Sequence, residues 1–462
     1  MDLVKMKNWL FMILYVGVMV SYLVGIFLIE DILIFTSWLV VISLLLSIFY
    51  VRGVSLGLSI FFLVFGSLIL YNQGVASVEY LESIRGMVYI FTLVSVIRFL
   101  GFPMELGGYS EAVKRVVHRE VKGEGILYIT TTLIAYLIGM SIVVACVPVV
   151  YYTIEKAVEK LTDNPEKFLS ISIKRGLFLA LLWTPSSPLM AMSLEVSQAS
   201  WFSVFPVAIL LSFFGFGLDL LIDLPTYWDK EEVKLMSPGE ETKEERKKDF
   251  SSIRNLVIIL IFLIVLLVTV DSILEDYTMI YIVILTSIFF APLWSFVIGR
   301  GKFYTEAVMG YIKNTIPGFK QQFTLFISAG YFASATGYAG DEVASYLGGI
   351  INFTGELLFL MILSSFVVIF AIIGVHPIIS IAVFGESLAA VSHGMPDNWV
   401  AFSFLLGGAV ALLVSPFSAA TLVTAELVHK TPFRVGVLWN GLFGLYIMLA
   451  GFLLLYVWDL LI

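Results

Sequence analysis

A chain of 462 residues that is 60% hydrophobic and 13% charged, with a mean hydropathy of +0.99, is expected to be a polytopic membrane protein, since soluble domains carry about 25% charged residues. The single cysteine, Cys146, excludes an internal disulfide and a cysteine-based metal cluster, and the four histidines lack metal-ligand spacing. The net charge of −8, without a long isolated basic tract, disfavours a nucleic-acid partner. Because no nucleophile–base or metal constellation stands out, we expect neither an enzyme nor a metal site.

Eleven apolar runs are close to the ~20 residues that the hydrocarbon core of a bilayer requires. The sequence therefore predicts an all-α integral membrane protein with about 11 transmembrane helices. Between the eighth and ninth runs, residues 304–320 have apolar positions at helical spacing and two lysines, which suits an interfacial arm or a plain surface helix. In chain order, the runs are residues 9–29, 32–50, 54–71, 87–109, 177–194, 201–222, 256–270, 279–298, 323–338, 400–427 and 433–457.

Two further apolar segments, 125–157 and 353–388, are expected to be re-entrant hairpins. Gly139-Met140-Ser141 interrupts the first segment, and Gly374-Val375-His376-Pro377 interrupts the second. Proline lacks a backbone N–H and clashes with the preceding turn, so the second break should separate two half-helices. Each leg has ~15 residues and reaches ~22 Å at 1.5 Å per residue, which brings the hairpin tips close to the bilayer midplane.

Two of the spans carry a similar break. Thr184-Pro185-Ser186-Ser187 interrupts the run 177–194, and Ser415-Pro416-Phe417-Ser418 interrupts the run 400–427. Each half of the chain thus has a hairpin followed by a broken helix. We interpret residues 1–222 as a first extra helix plus repeat 1 with a cytoplasmic-side hairpin, 223–254 as a polar cytoplasmic linker, and 255–462 as repeat 2 with an outer-side hairpin.

The distribution of basic residues supports two inverted repeats. When both ends of the segment 125–157 are placed in the cytoplasm, all Lys and Arg residues except Arg85 and Arg98 fall in cytoplasmic segments, including Lys174 and Arg175. This bias is what the positive-inside rule predicts. It places the N-terminus in the cytoplasm and the C-terminus outside, in a multi-pass protein of the plasma membrane.

The breaks hold the candidate site residues. Helix N-termini carry partial positive charge, so two broken helices that meet at the midplane suit a small anion, while unwound carbonyls suit a cation. The breaks are also compatible with simple helix kinks. His376 could equally make one structural bond to a broken helix end. The candidate substrate-binding residues are Ser141, Thr184, Ser186, Ser187, His376, Ser415, Ser418 and Thr421, and the candidate cation-coupling residues are Gly139, Ser141, Gly374 and Ser418.

Ionisable residues in or beside apolar runs are further candidates. Arg98 could contact substrate or pair with Glu105, and the acids Asp341, Glu342 and Glu386 could couple a cation or belong to an outer loop. The sequence leaves the coupling ion open between Na⁺ and H⁺. No other cofactor is expected, and the expected partners are a small anionic substrate and the lipid bilayer.

The order of spans, inner hairpin, broken helix, linker, outer hairpin and broken helix resembles the ion transporter superfamily, which includes the divalent anion/sodium symporters. The resemblance covers most of the chain as architecture, and at the residue level it is confined to the hairpin segments and the breaks 184–187 and 415–418. It implies a homodimer with a fixed scaffold and a hairpin-bearing domain that moves as an elevator. The hairpin tips lack the Asn that the sodium/dicarboxylate branch has there.

Our leading hypothesis from the sequence is an ion-coupled secondary transporter of a small organic anion, with a carboxylate as the first candidate. The alternative on the same architecture is an exporter or cation/proton antiporter in which His376 and nearby acids carry protons. A receptor or scaffold without transport is a third class. It is disfavoured because the only long polar stretch has ~30 residues, too few for an independent domain.

Overall fold

The computed structural model describes residues 3–120, 123–140, 143–228, 243–274, 276–389 and 395–461, and within these ranges every regular element is a helix. The first half of the chain forms twelve α-helices. They are α1 (Leu3–Phe27), α2 (Ile32–Ile48), α3 (Gly53–Asn72), α4 (Ser77–Ser83), α5 (Val88–Val96), α6 (Gly101–Leu106), α7 (Tyr109–Glu120), α8 (Glu124–Gly139), α9 (Val143–Leu161), α10 (Pro165–Leu181), α11 (Pro188–Ser197) and α12 (Trp201–Trp228).

The second half forms ten α-helices within the same described ranges. Short 3₁₀ turns at Ile97–Leu100 and Ile316–Gly318 and a π-helical turn at Arg434–Leu438 join neighbouring helices. The α-helices are α13 (Lys243–Ile273), α14 (Met279–Val297), α15 (Gly301–Asn314), α16 (Lys320–Tyr338), α17 (Gly340–Thr354), α18 (Glu356–Ile372), α19 (Pro377–Ala389), α20 (Asp397–Val414), α21 (Ala419–Leu427) and α22 (Trp439–Leu461).

The helices have the length and hydropathy of a multi-pass membrane protein. Among the described residues, eight helical segments are long and apolar enough to cross a bilayer, and nine if the bent pair α17–α18 is one span. Along α13 only 22% of the most apolar window is buried, which leaves a face of Ile258, Ile261, Phe262 and Val265 exposed for contact with lipid. The expected all-α membrane fold is confirmed.

Three of the eleven predicted spans do not meet that criterion of length and hydropathy by themselves. The span at 32–50 is the 17-residue helix α2, the span at 323–338 is α16, and the span at 177–194 is divided between α10 and α11. The division follows from the Thr184-Pro185-Ser186-Ser187 sequence, because proline cannot continue the hydrogen-bond ladder.

The helix breaks lie where glycine and proline predict them. Helix α18 ends at Ile372 and α19 begins at Pro377, and between them Gly374 has a φ of +105°, which favours glycine. Helix α20 ends at Val414 and α21 begins at Ala419. The second hairpin is shorter than predicted, since a bend of 114° at Gly355 (φ +78°) separates α17 from α18, and the hairpin starts at Glu356 instead of residue 353.

The predicted polar linker 223–254 is wrong at both ends. Helix α12 continues to Trp228 and α13 begins at Lys243, while residues 229–242 lie outside the described part of the chain. Polar residues extend these helices because the buried Asp223 binds Arg175, and the buried Asp249 binds Arg115 at 2.7 Å. The amphipathic stretch predicted at 304–320 is the helix α15, which ends at Asn314.

The element order recurs along the chain. Helices α7, α8, α10 and α11 begin 231 or 232 residues before α17, α18, α20 and α21, respectively. At an offset of 231 residues, Pro185 corresponds to Pro416 and Ser187 corresponds to Ser418. This recurrence agrees with the division into two repeats. The opposite orientation of the two copies stays a prediction.

Candidate functional site

A cavity of about 580 Å³ lies where the broken helices and the second hairpin meet the segment from α5 to α6 and the turn after α15. Most of its wall is apolar, with Phe178 and Phe319 among the larger side chains. Among the described residues, no Asp or Glu lines it. Its polar wall is formed by Arg98, Lys174, Ser187, Tyr311, Thr315 and His376.

The N-terminal ends of α11 and α21 both reach this cavity. Pro188, the first residue of α11, and Ala419 and Ala420, the first residues of α21, are part of its wall. The first N–H groups of a helix have no intrahelical partner, and the helix dipole places partial positive charge there. The two breaks therefore contribute positive potential to a cavity that also contains basic side chains.

The first break is tied to the tip of the first hairpin by hydroxyl groups. Ser186 Oγ donates to the Met140 carbonyl oxygen at 2.6 Å, and Thr184 Oγ1 donates to the same oxygen at 3.3 Å. Ser187 differs from these two residues, because its buried hydroxyl has no hydrogen-bond partner among the described residues and lies at the cavity wall. Of the three predicted hydroxyls in this break, Ser187 is thus the one available to a ligand.

The second break repeats the same bond. Ser415 Oγ donates to the Ala371 carbonyl oxygen at 2.5 Å, and this pair has the sequence separation of 44 residues that Thr184 and Met140 have. Ser418 Oγ lies 2.7 Å from Thr421 Oγ1 and accepts the backbone N–H of Thr421, so it caps the N-terminus of α21. The hydroxyls of Ser415, Ser418 and Thr421 are all engaged within the protein.

His376 makes the structural bond that was one of its two expected roles. Its Nδ1 accepts the backbone N–H of Ile378 at 3.3 Å, in the first turn of α19, and its ring lies edge-on to Phe326 at 5.9 Å. It also lines the cavity. Because Nδ1 is an acceptor in this bond, the neutral ring carries its proton on Nε2 and can donate it to a ligand.

Lys174 is the functional candidate that the sequence interpretation missed. The charge count placed Lys174 and Arg175 in a cytoplasmic segment before the span, but both side chains are buried in α10, and Lys174 reaches the cavity. Its Nζ donates to the Leu413 carbonyl oxygen and, at 2.6 Å, to Thr421 Oγ1. The apolar run Phe168–Ile173 before this pair was the available signal, since it extends the helix toward the N-terminus.

Arg98 makes the predicted pair with Glu105, at 2.7 Å, and also lines the cavity. The guanidinium lies 5.2 Å from the ring centroid of Phe102. Both ionic side chains of the pair remain about one-third exposed, with 31% and 33% of their surfaces accessible. A positive group therefore faces the cavity although its charge is partly balanced.

The remaining predicted site residues lie elsewhere. Gly139 packs against Leu177, with only 2.9 Å between an added Cβ and that side chain, and Gly374 packs against Phe417. Neither glycine lines the cavity, and the same is true of Glu342 and Glu386. Ser141 lies outside the described residues.

These features define a multi-pass, all-α membrane protein with paired helix breaks beside a cavity. Neither a family model nor a curated protein matches the sequence. Among solved structures, the YdaH transporter of Alcanivorax borkumensis, whose crystal structure is described as having an unusual topology, is similar with a TM-score of 0.58 and 15% sequence identity. The alignment covers 87% of this chain and 98% of that chain. At this level of identity, the likeness shows that the fold is shared.

Proposed function

We propose that this protein is a secondary transporter of small organic anions, with carboxylates as the first class to test. The observation that carries the proposal is the charge of the cavity wall. Lys174, Arg98 and His376 meet the N-termini of α11 and α21 there, and no acidic side chain of the described residues lines the wall. An anion entering this cavity replaces water contacts with fixed donors and positive dipoles.

The apolar part of the wall suggests which anions fit. A cavity of about 580 Å³ is within the usual range of ligand sites, and its leucine, phenylalanine and alanine side chains favour a ligand with an apolar body. Ser187 Oγ and His376 Nε2 would orient a carboxylate at one end of that ligand. Aromatic and medium-chain carboxylates are therefore better candidates than small, fully polar dicarboxylates.

The position of the cavity supports an elevator mechanism for this transport. Its wall combines residues of the broken helices and the second hairpin with residues of α5, α15 and the turn after α15. In the proposed cycle, the broken helices and hairpins move together with the bound anion, while the other helices stay fixed in a homodimer of the plasma membrane. The proposed orientation has the N-terminus in the cytoplasm and the C-terminus outside, as the basic residues outside the membrane indicate.

The first test is thermal unfolding of the purified full-length protein with phenylacetate, hexanoate, succinate and citrate, each paired with its uncharged amide. A ligand that binds the folded state raises Tm by mass action, so phenylacetate or hexanoate should raise Tm while the matching amides do not. Uptake of the binding carboxylate into proteoliposomes then tests transport. Equal effects of acids and amides, or no effect of any carboxylate, would contradict an anion site.

The alternative of a cation/proton antiporter is not favoured by the cavity. Its wall carries the cationic Lys174 and Arg98 without an acidic lining residue in the described part of the chain, so a cation would meet like charges. The same proteoliposomes, loaded with a pH-sensitive dye, distinguish the two functions. A cation-dependent pH change that does not require a carboxylate would support the antiporter.

A further inference from the structure

The ammonium group of Lys174 is buried beside uncharged carbonyl and hydroxyl oxygens, without a carboxylate partner in the described part of the chain. Only 2% of the residue is accessible, and Nζ donates to the Leu413 carbonyl oxygen and to Thr421 Oγ1. Within the described residues, no Asp or Glu forms an ion pair with this Nζ. A buried charge without a counter-ion is costly, so its oxygen partners must supply the stabilisation.

The Leu413 carbonyl is free to bind a cation because of the helix break. In an uninterrupted helix it would accept the backbone N–H of Phe417, but that N–H donates to Ser415 Oγ at 3.1 Å. The carbonyl also belongs to the last turn of α20, where the helix dipole is negative. Lys174 Nζ therefore lies where unwound carbonyls and helix C-termini hold ions in secondary transporters.

The hydroxyl groups of the second break complete the set of oxygens. Thr421 Oγ1 lies 2.6 Å from Nζ and 2.7 Å from Ser418 Oγ, and Ser418 Oγ in turn donates to the Leu412 carbonyl oxygen at 2.9 Å. Carbonyl and hydroxyl oxygens are the ligands of hard cations. In the first break, Leu182 and Met190 correspond to Leu413 and Thr421 at the offset of 231 residues, so the hydroxyl is missing there.

We propose that the ammonium group of Lys174 occupies the ion site of the second break in place of a bound Na⁺. This inference deepens the proposed function, because it assigns the place of a coupling ion in that transporter to a side chain. The oxygens of Leu413 and Thr421 should bind Na⁺ once the ammonium group is removed, so this proposal can be tested with Na⁺ alone and without any organic anion.

The test compares Lys174→Ala with Lys174→Met in the full-length protein. Removing the side chain to Cβ leaves the oxygens without a cation and with space for Na⁺, whereas methionine removes the charge but fills most of the space. Tm is measured in NaCl and in choline chloride at equal ionic strength. We expect Lys174→Ala to unfold about 3 °C or more higher in NaCl, and Lys174→Met to show no difference between the salts.

Lys167→Ala is the matched control, since Lys167 lies on the same helix and is only partly buried. It should show no response to Na⁺. A Lys174→Ala protein that folds and shows the same Tm in both salts would overturn the inference. Equal Na⁺ responses of Lys174→Ala and Lys174→Met would also overturn it, because the effect would then not depend on a vacated space.

The wild-type protein provides a measurement that does not depend on the folding of a variant. Its Tm should be the same in NaCl and in choline chloride, and a Na⁺-dependent rise would overturn the inference. This outcome is separate from failure of the proposed function, which is seen when no carboxylate shifts Tm in either salt.

Discussion

Two neighbouring residues of α10, Lys174 and Arg175, have different hydrogen-bond partners. Arg175 Nη1 donates to Asp219 at 2.6 Å and to Asp223, and its Nε donates to Asn440 Oδ1 at 3.2 Å. Lys174 is equally buried, and within the described residues its Nζ donates to a carbonyl and a hydroxyl oxygen and to no carboxylate. One basic side chain is thus surrounded by carboxylates and the other by uncharged oxygens.

The difference separates a structural charge from one that a ligand can use. Arg175 joins α10 to α12 and to α22, and its two carboxylate partners leave no net positive charge for an anion. Lys174 has no carboxylate partner in the described residues and lies at the cavity wall, so its charge remains available to an anion or acts in place of an ion. Substitutions in α10 and beside it test this division.

The largest effect is expected for Arg175→Met. The substitution leaves the buried Asp219 and Asp223 without their cation, which should cost about 3–5 kcal/mol of unfolding free energy. We expect Tm to fall by about 3–5 °C or folding to fail, measured by thermal unfolding and size-exclusion chromatography. The exposed Arg254→Met is the control.

A triple variant makes this prediction sharper. Combining Arg175→Met with Asp219→Asn and Asp223→Asn removes the whole charged cluster and should restore much of the lost stability, because no buried charge then lacks a partner. A single variant as stable as wild type, or a triple variant that is worse than the single one, would argue against a structural role for the pair.

The sequence predicts the helix breaks better than the partners of Lys174, because the breaks depend on local residues and the partners lie far away along the chain. Proline and glycine at 374–377, 184–187 and 415–418 act on their own backbone, so local chemistry is sufficient. The partners of Lys174 at Leu413 and Thr421 are 239 and 247 residues away, and no local pattern indicates them.

The positive-inside rule also does not predict that Lys174 and Arg175 are buried. It assigns basic residues to polar segments, and Lys174 and Arg175 directly precede the apolar run that starts at Leu177. The rule has no means of recognising a basic side chain whose charge is satisfied inside the protein. Asp219 in the following span, a carboxylate in an apolar run, was the signal that such a partner exists.

The next residue of α10, Gly176, is expected to show a smaller effect on stability. A Cβ there would overlap the Thr132 carbonyl oxygen of α8 and approach Ala135 Cβ at 2.8 Å. Gly176→Ala should therefore separate α8 from α10 and cost about 1–3 kcal/mol. Thermal unfolding beside Gly217→Ala, where no atom lies within 4 Å of the added Cβ, checks this packing. A Gly176→Ala protein as stable as wild type would mean that the two helices can move apart without cost.

On the cavity side of the comparison, Ser187→Ala should weaken carboxylate binding without loss of stability. The hydroxyl has no hydrogen-bond partner in the described part of the chain, so its removal breaks no described bond, but it removes about 1 kcal/mol of ligand contact. We expect Kd to rise about five-fold in titrations with the carboxylate that binds wild type.

Ser193→Ala is the matched control for this prediction. Ser193, on α11, is buried like Ser187 and has no hydrogen-bond partner among the residues that the structure describes, but it does not line the cavity. Its substitution should leave Kd unchanged. If both alanine variants weaken binding equally, the cause lies in the packing of α11 instead of a contact with the anion.

The smallest effect is expected at the N-terminal end of α10, where Glu166 pairs with Lys430 at 3.1 Å. Both side chains are about one-third exposed, at 38% and 32%, so water screens the pair and Lys430→Ala should cost less than about 1 kcal/mol. The hydrogen bond from Lys430 lowers the pKa of Glu166. The pair therefore stabilises the fold above the unfolded pKa of about 4.3, and this contribution is lost as the pH falls through the lower folded value.

Lys430→Ala should accordingly reduce Tm slightly at pH 7, and this reduction should disappear as the pH falls below the lowered folded pKa of Glu166. Raising the salt concentration at pH 7 should diminish the difference from wild type, because the pair is exposed. Arg175→Met should keep its full effect at high salt, since its carboxylates are buried. A strong salt dependence of Arg175→Met would mean that water reaches the Arg175 cluster, which would then not differ from the exposed pair of Glu166 and Lys430.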